Sequence, residues 1–404
     1  MVMRMGDLGT RWRGHFILPS PGRIASVSGP WWMPAAGRQA HPSSPRSRVS
    51  AMPIPRLSPL ATFVLLAACQ VSDAPGTDSP PPPGSDYAGL AFEFEEVVPG
   101  IYHARGTGNL SVGSHGAVIV NEEDVLLVES HISAAAAYGV VDEIEALTDK
   151  PVRYVVNTHY HFDHAHGNQI YPPDVHVIGH EVTREMLISG GSTGRSYQSF
   201  LGGLPAQIAA LEERIEGIED EEERAGAEGR LAYMKNFQAG LDATVPTGPN
   251  TTLSERMTLF RGDREIRLLF FGRGHTGGDV VVHLPAERVV VTGDLLVPSL
   301  PYMGDGYLEE WVQTLEHLKG LDFDWVLPGH GNPFQGKERI GYLQDYLRDL
   351  YAQAVALHAE GLSYEEAAAR IDMTGHAERY PVVQGSGVPA VAVQRIFELL
   401  EGGR

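Results

Sequence analysis

Asn157-Thr-His-Tyr-His-Phe-Asp-His164 places three imidazoles and one carboxylate within six residues. Imidazole nitrogens and carboxylate oxygens are ligands for zinc and for other first-row divalent ions. The segment follows a β-branched run, Pro151-Val-Arg-Tyr-Val-Val156, so it stands at the end of an expected strand. In an extended chain, residues i and i+2 point the same way, which lets His159 and His161 meet one metal. After a tight turn, Asp163 and His164 can face a second metal close by. The helical zinc pattern His-Glu-x-x-His needs an i, i+4 spacing and does not occur in the chain. So dense a cluster after an apolar strand is far more specific than a lone pair of histidines.

Three later segments supply what the cluster lacks. Gly272-Arg-Gly-His275-Thr-Gly-Gly-Asp279 puts a histidine in a glycine-rich loop after a strand. Thr292-Gly-Asp294 ends another strand with a carboxylate, and Leu327-Pro-Gly-His330-Gly-Asn332 puts a histidine in a turn after an apolar run. Each alone is weak, because a strand-end histidine is more often satisfied by backbone than by metal. Their joint occurrence in this order is what counts.

With these segments in place, residues 90–335 resemble the metallo-β-lactamase superfamily. The resemblance implies a four-layer αβ/βα sandwich, with two mixed sheets packed face to face, helices outside, and the metals at one edge of the sheets. It implies that His159, His161 and His275 bind a first metal, that Asp163, His164 and His330 bind a second, and that Asp294 bridges both. Zinc is the family's usual metal, two per chain, though iron and manganese occur. The implied activity is hydrolysis of a small-molecule ester, thioester, lactone or lactam by a hydroxide held between the metals, with Asp163 orienting it. Asp294 departs from many zinc β-lactamases, which have Cys at the bridging position, and is similar to the broader hydrolases such as glyoxalase II. The resemblance also admits a mononuclear iron sulfur dioxygenase, since persulfide dioxygenases share the fold. A non-catalytic metal-binding lipoprotein is the third reading.

Other residues bear on the site. Where the family commonly has Asp at the end of the strand before the first loop, this chain has Glu129-Ser130. Glu129 is either an acceptor for a ligand histidine's second N–H or a plain strand-end charge. Asp279 is expected to be structural. Thr158 and Thr276 are candidates to support the ligands, and His131, His166 and Tyr302 are candidates for the rim. Gly190-Gly-Ser192-Thr-Gly194 matches the Gly-x-Ser-x-Gly string, but a nucleophile elbow needs a strand before the serine. Here a helix-like segment, 181–188, precedes it.

The elements that must hold these residues alternate between strand and helix character, which argues for a layered α/β domain. Gly116–Val120 and Asp124–Val128 flank a polar turn and form an expected hairpin. Ala134–Leu147 is helical, and Val175–Ile178, Glu265–Phe271, Val280–Leu284 and Arg288–Thr292 are strands. Between 181 and 245, Leu204, Ile208, Leu211, Ile215 and Ile218 form one helix stripe. We read this region as a helical hairpin inserted between two α/β halves, its acidic run a solvated face. With the loop 297–307 it shapes the pocket. Helices follow at about 307–319, 336–357, 363–371 and 389–401, so 87–335 forms the metal-binding domain and 336–404 a C-terminal helical extension.

The N-terminal stretch has a different character. Residues 1–51 hold seven Arg and one acidic residue and no Lys, whereas the chain as a whole carries a formal charge of −20. The apolar run Leu60–Ala68 is too short for a bilayer span, which needs about 20 residues. It ends in Leu66-Ala-Ala-Cys69, which resembles a bacterial lipoprotein signal in which Cys becomes the acylated first residue. On this reading 1–51 is a mis-called upstream extension, 52–68 the signal starting at Met52, and 69–86 a Pro-rich tether. The protein is then exported and lipid-anchored to a bacterial membrane. Removing 1–68 takes away eight Arg and one acid, and the charge becomes −27. So acidic a protein is a poor nucleic-acid binder. Cys69 is the sole cysteine, which excludes an internal disulfide and a Cys-based zinc site.

Overall fold

A computed structural model describes residues 80–403. The upstream extension, the signal and Cys69 lie outside the described residues, as does most of the tether. The strands with unbroken apolar sequence form the middle of the fold, because a strand covered on both faces needs no polar side. The first sheet runs β1 (Phe92–Val98), β2 (Ile101–Gly106), β3 (Gly116–Val120), β4 (Val125–Val128), β5 (Val152–Val156), β6 (His176–His180) and β7 (Thr251–Leu253), in that spatial order. β1 to β4 are antiparallel and β4 to β7 parallel. Helix α1 (Ala134–Ile144) carries the chain from β4 to β5, and the Ser133 hydroxyl caps it by accepting from Ala136 N. α2 (Phe162–Ala165) is a single turn directly after β5.

The inserted region differs from the expected hairpin. It holds α3 (Glu181–Ile188), α4 (Arg195–Leu201), α5 (Leu204–Glu216) and α6 (Glu221–Asp242), of which α5 and α6 form the hairpin. It also does not separate the two halves. β7 follows it and pairs with β6, so the insertion interrupts the first sheet. A three-residue strand is too short to leave a periodic signal in the sequence, and the boundary between the halves lies after β7 rather than at the insertion. The α5 stripe is buried at Leu204, Ile208 and Leu211, while Glu212, Glu213 and Glu216 face solvent.

The second sheet contains β8 (Arg256–Arg261), β9 (Arg264–Phe270), β10 (Val280–Leu284), β11 (Val289–Gly293), β12 (Trp325–Pro328) and β13 (Phe334–Gln335), in the order β13-β12-β11-β10-β9-β8. β8 to β11 form an antiparallel meander, and α7 (Leu308–Lys319) links the parallel pair β11 and β12. Both halves share one feature: an antiparallel run leads into a parallel pair joined by a helix, β4 and β5 through α1 and β11 and β12 through α7.

Ile119, Leu126, Val128 and Val156 of the first sheet meet Leu268, Val282, Val291 and Leu327 of the second in one apolar layer. Alternate residues point outward. Val118, Leu127 and Val155 share a cluster with Val140 of α1 and with Ile208, Leu211 and Met234 of the insertion. Val281, Val290 and Val326 pack with Trp311 and Leu315 of α7, Leu343 and Leu347 of α8 (Glu338–Ala359), and Ile396 of α10 (Ala390–Leu400). Between α8 and α10, α9 (Tyr364–Arg370) starts with a Ser363–Glu366 capping box. The result is the four-layer αβ/βα sandwich, and the C-terminal helices complete its outer layer. No helix among the described residues is long and apolar enough to cross a membrane.

Candidate metal centre

In parallel α/β arrangements the space beyond the carboxyl ends of the strands is where ligands bind. Here the ends of β4, β5, β11 and β12 and the β9–β10 loop deliver side chains to one place. Glu129 follows β4; His159, His161, Asp163 and His164 follow β5; Asp294 follows β11; His330 follows β12; and His275 comes from the β9–β10 loop. His159 lies in a bend, His161 is the residue just before α2 with φ −59° and ψ 147°, and Asp163 and His164 lie on α2. Close approach depends on glycine at Gly329, where a Cβ would stand 2.5 Å from Asp294 Oδ1 and 2.7 Å from His164 Cε1.

The side chains form two interlocked groups. His161 Nδ1 is 3.1 Å from His159 Nε2 and 3.0 Å from His275 Nε2, and all three residues are buried. Tetrahedral ligands at the usual zinc–nitrogen distance stand roughly 3.3 Å apart, so this spacing suits one ion. In the second group, Asp163 Oδ2 lies 3.1 Å from His330 Nε2 and 3.4 Å from His164 Nε2. Asp294 stands between the groups. Its Oδ2 is 3.7 Å from His275 Nε2 and 3.4 Å from His330 Nε2, and its Oδ1 is 3.6 Å from His164 Nε2. His164 Nε2 and Asp294 Oδ1 are buried with no hydrogen-bond partner. Converging ring nitrogens with orphaned polar atoms between them are costly unless a cation satisfies them, so the donor set fits metal. All seven expected ligands are brought together.

Electrostatics divides the groups. Burial and the neighbouring imidazoles hold His159 well below its ordinary range, and burial lowers His275 to about 3, so both are neutral donors. Burial also pulls on His164 and His330, but Asp163, Glu129 and Asp294 outweigh it for His164, and Asp294 and Asp163 push His330 up to about 10. Burial likewise works against ionising Asp163 and Asp294, yet His164 and His330 hold both well below the usual carboxylate range. Protons there sit where a cation would displace them.

A supporting layer fixes the rings. Thr158 Oγ1 is 2.5 Å from Glu129 Oε1 and 3.0 Å from His159 Nδ1. Its hydroxyl can donate to Glu129 and accept from His159, which leaves His159 Nε2 as the free lone pair. Glu129 Oε1 also lies 3.1 Å from His164 Nδ1. Glu129 thus hydrogen-bonds Thr158, which touches His159, and stands within ion-pair distance of His164, which favours the supporting role over a plain strand-end charge. It does so in a left-handed backbone conformation, φ 76°, of the kind that costs energy and clusters at functional sites.

His161 has a partner that sequence reasoning missed. Asp305 Oδ2 lies 3.1 Å from His161 Nε2. Asp305 is a lone aspartate in Gly304-Asp-Gly306, inside the loop already expected to shape the pocket, and nothing local marks it. The other candidates lie further out. Asp279 accepts from Thr276 N and Oγ1 and ties the β9–β10 loop, so neither meets a ligand directly through these bonds. His131 and His166 are buried, bonded to Ser114 O and Ser192 Oγ, and not at a rim. Ser192 is buried in a 3₁₀ turn after α3, so the elbow geometry is absent. Tyr302 does line the site's cavity.

The family model for the metallo-beta-lactamase superfamily matches residues 110–330. The chain belongs to the metallo-beta-lactamase superfamily. Among curated relatives in sequence, a linear primary-alkylsulfatase from Pseudomonas sp. is 22% identical over 276 residues, covering 64% of this chain and 50% of the relative. A metallo-beta-lactamase type 2 from Bacillus sp. is 24% identical over 227 residues, covering 55% of this chain and 68% of that protein. Among solved structures, a stereoselective inverting sec-alkylsulfatase from Pseudomonas sp. superposes with a TM-score of 0.56 at 17% identity, over 76% of this chain and 50% of that one. The likeness is one of fold. This superfamily member spans about half the length of the alkylsulfatases it matches.

Proposed function

We infer that the protein is a metal-dependent hydrolase of carboxylic esters, thioesters, lactones or lactams. The observation that carries this reading is the pair of donor groups sharing Asp294 at the floor of an open cavity of about 480 Å³. His159, His161 and His275 would hold one ion and Asp163, His164 and His330 the other, with Asp294 between them and zinc the preferred metal over iron or manganese. Such a pair supplies Lewis acidity and a water acidic enough to attack near neutral pH. The rest falls to the protein. Asp163 reaches the cavity wall, where its carboxylate can take a proton from the attacking water and return it to the leaving oxygen, sulfur or nitrogen. Thr158, Glu129 and Asp305 keep the imidazoles turned so that the donor nitrogens face inward. No covalent bond between protein and substrate is needed.

His161→Ala removes one donor and the ring that lines the cavity. Hydrolysis of an ester, thioester, lactone and β-lactam panel is expected to fall by at least a hundredfold, and unchanged turnover would refute the assignment. Metal analysis separates the alternatives: two zinc ions per chain support the hydrolase, one iron supports a sulfur dioxygenase, and a fully loaded but inert protein supports a scaffold.

The acylated Cys69 and the Pro-rich tether would place this chemistry outside the cytoplasm, on a bacterial membrane. The support is the sequence Leu66-Ala-Ala-Cys69 after an apolar run. Expressed in a bacterial host, the protein is expected in the membrane fraction and Cys69→Ser is expected to lose lipid labelling; equal labelling of both refutes the anchor.

A further inference from the structure

Two cavities share one wall, formed by Leu300, Pro301 and Tyr302. The larger, about 480 Å³, opens on His161, Asp163, Asp294 and His330. Its outer walls are Phe200 and Leu201 of α4, Phe237 of α6, and Val297, Leu300 and Tyr302 of the loop after β11. None of its lining residues is Lys or Arg. Arg195 stands next to the lining residue Ser196, but its guanidinium is spent: two contacts of 2.7 Å go to the Glu398 carboxylate and one of 2.6 Å to Gly304 O. The smaller cavity, about 90 Å³, lies behind the loop and is bounded by Tyr346 and Leu350 of α8 and by Val391 and Ala392 of α10. Leu300, Pro301 and Tyr302 line both. The Tyr302 ring stands edge-on to Phe200, with centroids 5.6 Å apart, and 5.9 Å from His161.

These walls restrict what can bind. An anionic group on the distal part of a ligand would be desolvated there with no cation to meet it, which is strongly unfavourable. An apolar arm on the same wall is favoured by each methylene it buries. The geometry points to a neutral ester with an unbranched apolar arm as the substrate, the arm lying along Phe200, Leu201, Phe237 and Leu300 and ending at Tyr302. This rests on the hydrolytic reading above. In the reaction the water oxygen bonds to the acyl carbon, the acyl carbon–oxygen bond to the alcohol breaks, and the proton from water passes to the departing alcohol oxygen. Acid and alcohol result, with no other reactant. Tyr302 is the largest of the three residues common to both walls, and a smaller residue there is expected to open the larger cavity toward the smaller and so lengthen the arm it accepts.

The experiment uses the full-length, metal-loaded protein and p-nitrophenyl esters from acetate to dodecanoate, with a hemiester of matched length carrying a terminal carboxylate and with octyl sulfate. kcat/KM is expected to rise roughly fourfold per methylene through the short members and then level off. The terminal carboxylate is expected to lower it at least tenfold against its neutral match. Tyr302→Ala is expected to move the plateau to longer arms, and Tyr302→Leu, which keeps more of the packing, to move it less. A flat series, a preference for the carboxylate-bearing ester or for octyl sulfate, or a plateau that stays put in both folded variants overturns the proposal. Calorimetric titration with the non-hydrolysable ketone 2-undecanone gives a readout without turnover. Binding with no hydrolysis of any ester refutes the hydrolytic reading while supporting the apolar arm site, and failure to bind refutes the arm.

Discussion

Replacing Asp305 with alanine removes the carboxylate 3.1 Å from His161 Nε2 and tests how far the metal centre depends on the layer behind it. The pair is largely enclosed, with side chains 4% and 17% exposed. Burial opposes ionisation of Asp305, but the bond from His161 and its charge hold the carboxyl below its ordinary range, so the acceptor is an anion. A hydrogen bond to a charged partner contributes about 1.5–3 kcal/mol, which at 1.36 kcal/mol per decade corresponds to about 10- to 150-fold. The same range, roughly 10–100-fold, is typical when a carboxylate behind a ligating histidine is lost. Asp305→Ala is therefore expected to weaken metal retention by that factor, read as metal per chain after dialysis against graded chelator, and to lower kcat/KM in parallel. Asp305→Asn keeps a neutral acceptor oxygen and should fall between. If Asp305→Ala holds its metal as tightly as the wild type, with unchanged kcat/KM, the claim that this contact orients His161 is wrong.

Glu129→Gln should act on both donor groups at once, because Glu129 contacts Thr158 and His164 and through Thr158 reaches His159. A loss of roughly 10–100-fold in activity is expected, with all bound metal released in one step in chelator titration; stepwise release would contradict the shared role. Asp279 offers a pH test in the metal-free protein. Burial raises its carboxyl from 3.8 to about 6, so the folded state binds the proton more tightly than the unfolded state does. Its stabilising contribution is present below about pH 3.8 and is lost as pH rises through about 6, a difference of ~3 kcal/mol. Relative to Asp279→Asn, the wild-type Tm should therefore fall between pH 4 and 6, and parallel Tm profiles would refute the shift.

The ligands were legible because each sits within a few residues of an apolar strand end, and because four of the seven lie in one short motif. The sandwich was legible for the same reason: strands covered on both faces, such as Gly116–Val120 and Val280–Leu284, show as unbroken apolar runs. What could not be read depends on contacts far apart in the chain. Asp305 acts on a residue 144 positions away, and β7 has three residues. β1 does carry a local signal, the alternation Phe92-Glu-Phe-Glu95, as expected for an edge strand with one wet face. The two roles open to Glu129 differed only in where a left-handed backbone aims its side chain.

Each donor group is drawn from both halves of the sandwich. His159 and His161 come from the segment behind the first sheet and His275 from the second; Asp163 and His164 come from the first and His330 from the second, with Asp294 also from the second. Neither half alone can assemble one full coordination set. Metal affinity would then also be a docking energy: whatever free energy metal binding releases would be withheld until both halves have folded and closed on one another. Metal loading should fuse two potential unfolding steps into one cooperative transition, and metal removal should loosen the seam between the sheets before it loosens either sheet.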